Sequence, residues 1–147
     1  GFALAGPPWG FGIETATGIL RLIYSGVFDR YPKLKIVLGH LGEGLVFWIY
    51  RIDFAFKKVW MKDLRPDLKK TPSEVIRENF YINNSGMYNN SSFLSVYAEL
   101  GANNLMFGAD YPYEDSVEAV KFMKQLAIPE GDMEKILFSN AKKLFKL

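Results

Sequence analysis

A single histidine, His40, follows the apolar run Ile36-Val37-Leu38 after one glycine, and Asp110 follows a second apolar run, Leu105-Met106-Phe107, after Gly108-Ala109. An imidazole changes charge near neutral pH and can carry a proton in either direction. A carboxylate can ligate a divalent cation or carry a proton itself. Two short buried strands that each end by presenting such a group fit a parallel α/β enzyme, which builds its chemistry at the carboxyl ends of its strands. Glu43, three residues beyond the histidine, could hydrogen-bond the ring and raise its basicity. Each candidate has a plainer alternative: a histidine capping a strand end, a carboxylate favoured by a helix N-terminus, and an Asx turn ahead of Tyr111-Pro112.

The elements that would hold these groups follow from periodicity and turn residues. Apolar positions at Ile13, Ala16, Leu20 and Ile23 predict a helix over 13–24, closed by Ser25-Gly26. A turn is expected over 29–32, where Pro32 disfavours helix in the residue before it. The next elements are a strand over 35–39 and, past Gly42 and Gly44, an aromatic helix over 45–61. Ser73 is placed to cap a helix ending at Asn79, and a strand over 80–84 leads to a Ser85-Gly86 loop. Ser91 or Ser92 is placed to cap a helix over 93–100, with Gly101 at its C′ position. A strand over 105–108 and helices over 116–126 and 132–144 complete the chain. Three strands alternating with helices imply parallel α/β architecture, with no repeat, low-complexity segment or internal domain boundary.

Composition narrows the function classes. The 147 residues, 49% hydrophobic, suffice for one compact core. The 18 basic and 16 acidic residues are interspersed, so no basic stripe argues for nucleic acid. The densest basic stretch, Lys57, Lys58, Lys62, Arg65, Lys69 and Lys70, is interrupted by Asp63 and Asp67 and reads as a solvated face. No apolar stretch approaches the ~18 residues of a membrane span. The absence of cysteine excludes disulfides and thiolate chemistry and suits a cytoplasmic protein. The aromatic set Phe47, Trp48, Tyr50, Phe54, Phe56 and Trp60 surrounds more than one face of its helix, which suggests an oligomer contact or packing against neighbouring helices.

The segments Gly39-His40-Leu41-Gly42-Glu43 and Phe107-Gly108-Ala109-Asp110-Tyr111-Pro112 resemble two signatures of the amidohydrolase-2 family of metal-dependent hydrolases and decarboxylases. Gly26-Val27-Phe28-Asp29-Arg30-Tyr31-Pro32, Arg51-Ile52-Asp53 and Asn140-Ala141 extend the likeness, in the order found in dihydroxybenzoate (resorcylate-type) decarboxylases. The resemblance covers nearly the whole chain but only the family's C-terminal half. It implies a portion of a TIM-like (β/α)8 barrel, about three βα units, with residues 1–147 forming a partial barrel domain containing strands 6 to 8. A complete barrel needs about 250 residues, and the chain opens on Gly1 in a Gly6-Pro7-Pro8-Trp9-Gly10 stretch that reads as an active-site loop, so a fragment is expected.

The resemblance further implies non-oxidative decarboxylation of a small hydroxylated aromatic acid, with His40, Glu43 and Asp110 catalytic. Asp110 would also ligate a divalent metal, zinc or manganese, while Phe11 and Arg51 would approach the substrate. The family's first-strand His or Glu pair and its fifth-strand histidine have no counterpart here, so the fragment alone is expected to be inactive. It would be completed by the missing N-terminal half or self-associate as a homo-oligomer. The alternatives are hydrolysis of a C–N or C–O bond by the same metal chemistry and a non-catalytic remnant completed by another chain. Gly18 stands where related sequences often carry histidine, and Val46 where proline is common.

Overall fold

The computed structural model describes residues 2–147; Gly1 lies outside the described residues. In chain order the elements are α1 (Phe2–Ala5), α2 (Gly10–Tyr24), α3 (Val27–Arg30), β1 (Ile36–Leu38), α4 (Leu45–Phe56), α5 (Pro72–Asn79), β2 (Phe80–Asn83), α6 (Asn90–Leu100), β3 (Leu105–Met106), α7 (Ser116–Gln125), α8 (Glu130–Glu134) and α9 (Asn140–Phe145). Short 3-10 turns cover His40–Gly42, Val59–Leu64 and Ala102–Asn104, and a π-helical turn, Lys135–Ser139, links α8 to α9. The strands form one sheet in the order β1-β2-β3. β2 and β3 run parallel, with Ile82 opposite Leu105 and Asn83 opposite Met106. No helix among the described residues is long and apolar enough to cross a membrane.

The chain divides into two compact units that interleave in sequence, residues 1–36 with 43–80 and residues 37–42 with 81–147. The divisions fall at Ile36/Val37, Gly42/Glu43 and Phe80/Tyr81.

In the first unit, α2, α4 and α5 bury Ile19, Ile23, Val46, Ile49, Val75 and Ile76. Between α1 and α2 the chain turns so tightly that a Cβ on Gly10 would lie 2.3 Å from the Ala5 carbonyl oxygen, which only glycine allows. Residues 29–32, read as a turn, contribute in part to α3, whose Phe28 is buried against Phe80 with ring centroids 5.4 Å apart. The aromatic helix stops at Phe56 rather than running to 61. Phe56 is buried edge-to-face on Tyr24 and beneath the Arg65 guanidinium, whereas Val59 and Trp60 are exposed, so further α-helical turns would bury no more apolar surface.

Two capping expectations are corrected. Thr71, not Ser73, caps α5: its hydroxyl accepts from Glu74 N, and the Glu74 carboxylate accepts from Thr71 N, a reciprocal capping box with Pro72 inside the first turn. Ser73 instead donates its backbone N–H and hydroxyl to Asp53 of α4, at 3.0 and 2.6 Å, tying the two helices together. At α6 the cap is Asn89, whose side chain accepts from Ser92 N, and the helix starts at Asn90.

In the second unit, Ile82, Leu105, Phe93, Met123 and Ile136 make the core. The helix expected over 132–144 is divided by the π turn. Phe107 N–H, just beyond β3, donates to the Ile136 carbonyl at 2.9 Å, so this flank of the sheet is partly satisfied by the chain itself. Asn140, buried, donates its amide to the carbonyls of Ala102 and Leu105, both at 2.7 Å.

Candidate active site

Four residues at the end of β2, Asn83-Asn84-Ser85-Gly86, sit between the two candidate chemical groups. β1 delivers His40 into a run of left-handed backbone: φ is 49° at His40, 54° at Leu41, 82° at Gly42, 54° at Glu43 and 75° at Gly44. Asp110, beyond β3, also has a positive φ, 63°. Left-handed non-glycine residues cost roughly 1–2 kcal/mol each and persist where surrounding structure enforces them, often at functional positions.

The contacts around both positions come from the segment that follows β2. His40 Nδ1 lies 2.7 Å from the Ser85 carbonyl oxygen. That oxygen can only accept, so Nδ1 carries the proton of the bond. Ser85 is held in turn by Asn83, whose Oδ1 accepts from Ser85 N at 3.1 Å and from Ser85 Oγ at 2.7 Å. On the β3 side, Gly108 N–H donates to Asn84 Oδ1 at 3.2 Å, and the Tyr88 hydroxyl donates to the Ala109 carbonyl at 2.6 Å. Burial pushes the Tyr88 phenol above its ordinary value, outweighing a backbone hydrogen bond that lowers it. The Asp110 carbonyl accepts from Tyr113 N and Glu114 N, closing the 110–114 turn.

His40 and Asp110 meet at Gly86. A Cβ built there would lie 3.3 Å from His40 Nδ1 and 3.3 Å from Asp110 Oδ2, with φ at +67°. An imidazole and a carboxylate around one backbone point can address the same small substrate, one as proton carrier and the other as proton carrier or cation ligand.

The other sequence candidates lie in the first unit. The Glu43 carboxylate packs against Gly12, where an added Cβ would meet Oε2 at 2.8 Å. Phe11, at the start of α2, is 56% exposed. Arg51, on the exposed side of α4, has its guanidinium 5.9 Å from the Phe54 ring centroid, and its neighbour Asp53 is engaged by Ser73.

Among the described residues no three His, Cys, Asp or Glu side chains cluster as a metal centre would require. Asp110 fits a cation as one oxygen donor; the described residues do not by themselves make a metal site.

The residues that sequence reasoning missed are Asn83, Asn84 and Gly86. Asn-Asn-Ser-Gly after an apolar run reads as an ordinary loop, and its one signal was two consecutive amides at a strand's carboxyl end.

The amidohydrolase family profile matches residues 2–147. The chain is 41% identical over 145 residues to the gamma-resorcylate decarboxylase of Polaromonas sp. strain JS666, covering 98% of this chain and 44% of that protein. It is 39% identical to the enzyme of the same name from Rhizobium sp. strain MTP-10005, at the same coverage. Among solved structures, 5-carboxyvanillate decarboxylase from Sphingomonas paucimobilis superposes with a TM-score of 0.91 at 40% identity, over 97% of this chain and 42% of that one. The Polaromonas dihydroxybenzoic acid decarboxylase, crystallised with manganese and 2-nitroresorcinol, gives 0.89 at 41% identity, over 97% and 42%. The chain thus spans less than half the length of these relatives.

Proposed function

The chain belongs to the amidohydrolase family, and from that premise we propose that it forms part of a metal-dependent enzyme that decarboxylates a hydroxylated aromatic acid without an oxidant. In this reading it contributes the last βα units of a (β/α)8 barrel, and residues 1–147 are a partial barrel domain. The observation that carries the proposal is the convergence of the His40 imidazole ring and the Asp110 carboxylate on Gly86.

The chemistry is an exchange of proton for carboxylate. The ring carbon bearing the carboxylate takes a proton from Asp110 or His40. Its bond to the carboxyl carbon then breaks, the electron pair returns to the ring, and carbon dioxide leaves. No redox equivalent is consumed. Glu43 stays in the proposed set as the carboxylate three residues beyond the histidine. Arg51 is proposed to face the substrate carboxylate, for which a guanidinium fork is the natural partner, and Phe11 to face its ring. Asp110 would be one ligand of a divalent ion, manganese or zinc, whose other ligands come from outside this chain. The aromatic side of α4, with Phe47 and Tyr50 exposed, is proposed to be covered in the assembled protein. A cytoplasmic location belongs to the same proposal.

The test uses the assembled protein with 2,6-dihydroxybenzoate as substrate, following carbon dioxide release. His40→Gln and Asp110→Asn should each lower kcat by about 10²–10⁴-fold, the usual contribution of a positioned proton carrier, and the chain by itself should be inactive. Changes below tenfold in both variants, or turnover by residues 1–147 alone, would overturn the proposal.

A further inference from the structure

Asn83 and Ser85 form a wedge between the two strand ends that carry the proposed chemistry. A Cβ on Gly39, which precedes His40, would stand 3.2 Å from Ser85 Oγ and 3.7 Å from Asn83 Oδ1. A Cβ on Gly108, two residues before Asp110, would stand 3.1 Å from both Cγ and Oδ1 of Asn83 and 3.4 Å from Ser85 Cβ. Glycine on both flanks lets the asparagine approach closely, and its single carbonyl oxygen then takes both donors of Ser85. With its N–H and hydroxyl tied to one atom, Ser85 has little freedom to turn its own carbonyl, which points at His40 Nδ1.

The hydrogen bond decides which ring nitrogen is protonated. A free neutral imidazole favours its proton on Nε2. A carbonyl acceptor 2.7 Å from Nδ1 reverses that preference, because only the Nδ1–H form can make the bond. The lone pair, or the transferable proton of the charged ring, then belongs to Nε2.

We infer that Asn83 is a positioning residue that, through the Ser85 carbonyl, holds His40 as the Nδ1–H tautomer with Nε2 as its working nitrogen. This rests on the reading of His40 as the proton carrier, but the spectroscopic test below does not.

His40 is the only histidine in the chain, so labelling histidine with ¹⁵N gives one pair of ring nitrogens. Two-bond correlations to the ring carbon protons, recorded at alkaline pH on the full chain, identify the tautomer directly. The parent should show the Nδ1–H pattern. Asn83→Ala should shift it toward the Nε2–H pattern of a mobile imidazole. Asn83→Asp, which can still accept both bonds from Ser85, should restore it. Ser85→Ala keeps the carbonyl and removes one of the two bonds, so it should shift the spectrum in the same direction but less; it decides the matter if Asn83→Ala does not fold. An Nδ1–H pattern unchanged in Asn83→Ala, or in Ser85→Ala where that variant decides, overturns the inference. In the assembled enzyme, Asn83→Ala should lower kcat with KM little changed, and Asn83→Asp should recover it. A shifted spectrum with unaltered kcat supports the tautomer assignment and overturns the catalytic role given to His40 instead.

Discussion

His40 and Asp110 stand on either side of Gly86, with His40 Nδ1 and Asp110 Oδ2 equally distant, 3.3 Å, from the point where a side chain would begin. Gly86→Ala places a methyl group at that point on a backbone with φ of +67°. Left-handed alanine costs about 1–2 kcal/mol. The variant should therefore lose roughly that much stability in urea titration, and, in the assembled protein, the proposed decarboxylation should slow by more than the stability loss accounts for. Full activity in a folded Gly86→Ala protein would mean the two groups do not serve one substrate.

Asn140 secures the start of β3 from below. Its buried amide serves two carbonyls, Ala102 and Leu105, which no longer have that partner in Asn140→Ala. Buried acceptors left unsatisfied cost about 1–3 kcal/mol. Chemical denaturation should show a loss in that range, and amide exchange should quicken at Phe107, whose donor bond runs to the adjoining π turn.

The capping box at α5 makes a local prediction. Thr71→Ala removes the acceptor for Glu74 N and the hydroxyl partner of the Glu74 carboxylate. Loss of a threonine cap costs about 0.5–2 kcal/mol. Thr71→Ser should lose much less, and thermal unfolding of the two variants side by side provides the comparison.

Acid sensitivity should arise partly at Asp132. A hydrogen bond from the Tyr97 hydroxyl, and next one from Lys135, hold its carboxyl below the ordinary value of 3.8. A carboxyl with a folded pKa depressed in this way stabilises the fold above its unfolded pKa, and the benefit disappears as pH falls through the folded value. Tyr97→Phe should raise the Asp132 pKa, seen by NMR titration of its carboxyl carbon, and flatten the stability profile below about pH 4. The same hydrogen bond raises the Tyr97 phenol, so the parent tyrosine should ionise later than a free one on alkaline titration.

Exposed aromatic surface predicts association. Phe47 and Tyr50 on α4 are 77% and 79% exposed, and large apolar patches rarely remain uncovered on a monomer. Sedimentation of the isolated chain should show concentration-dependent oligomers, weakened by Phe47→Lys with Tyr50→Lys. A stable monomer at all concentrations would contradict this.

The strands, their parallel α/β order and two candidate chemical groups were legible in the sequence, because each depends on residues close together in the chain. Three apolar residues ending at glycine make a short strand, buried in β3 but in β1 only at Leu38, with Val37 exposed, and His40 and Asp110 are legible as the titratable groups each strand delivers. Helix ends were less legible: Thr71 rather than Ser73 caps α5 because Asp53, 20 residues away, engages Ser73. The end of the aromatic helix at Phe56 was likewise hidden, since it depends on Tyr24 and Arg65. That Asn83, Asn84, Ser85 and Gly86 lie against His40, Gly108 and Asp110 emerges only in the folded chain. Nothing in Asn-Asn-Ser-Gly distinguishes a turn from a wedge until β1 and β3 bring Gly39 and Gly108 against it. Asn83 is bonded by Ser85 two residues on, but Ser85 meets His40, 45 residues back, and Asn84 is bonded by Gly108, 24 residues on.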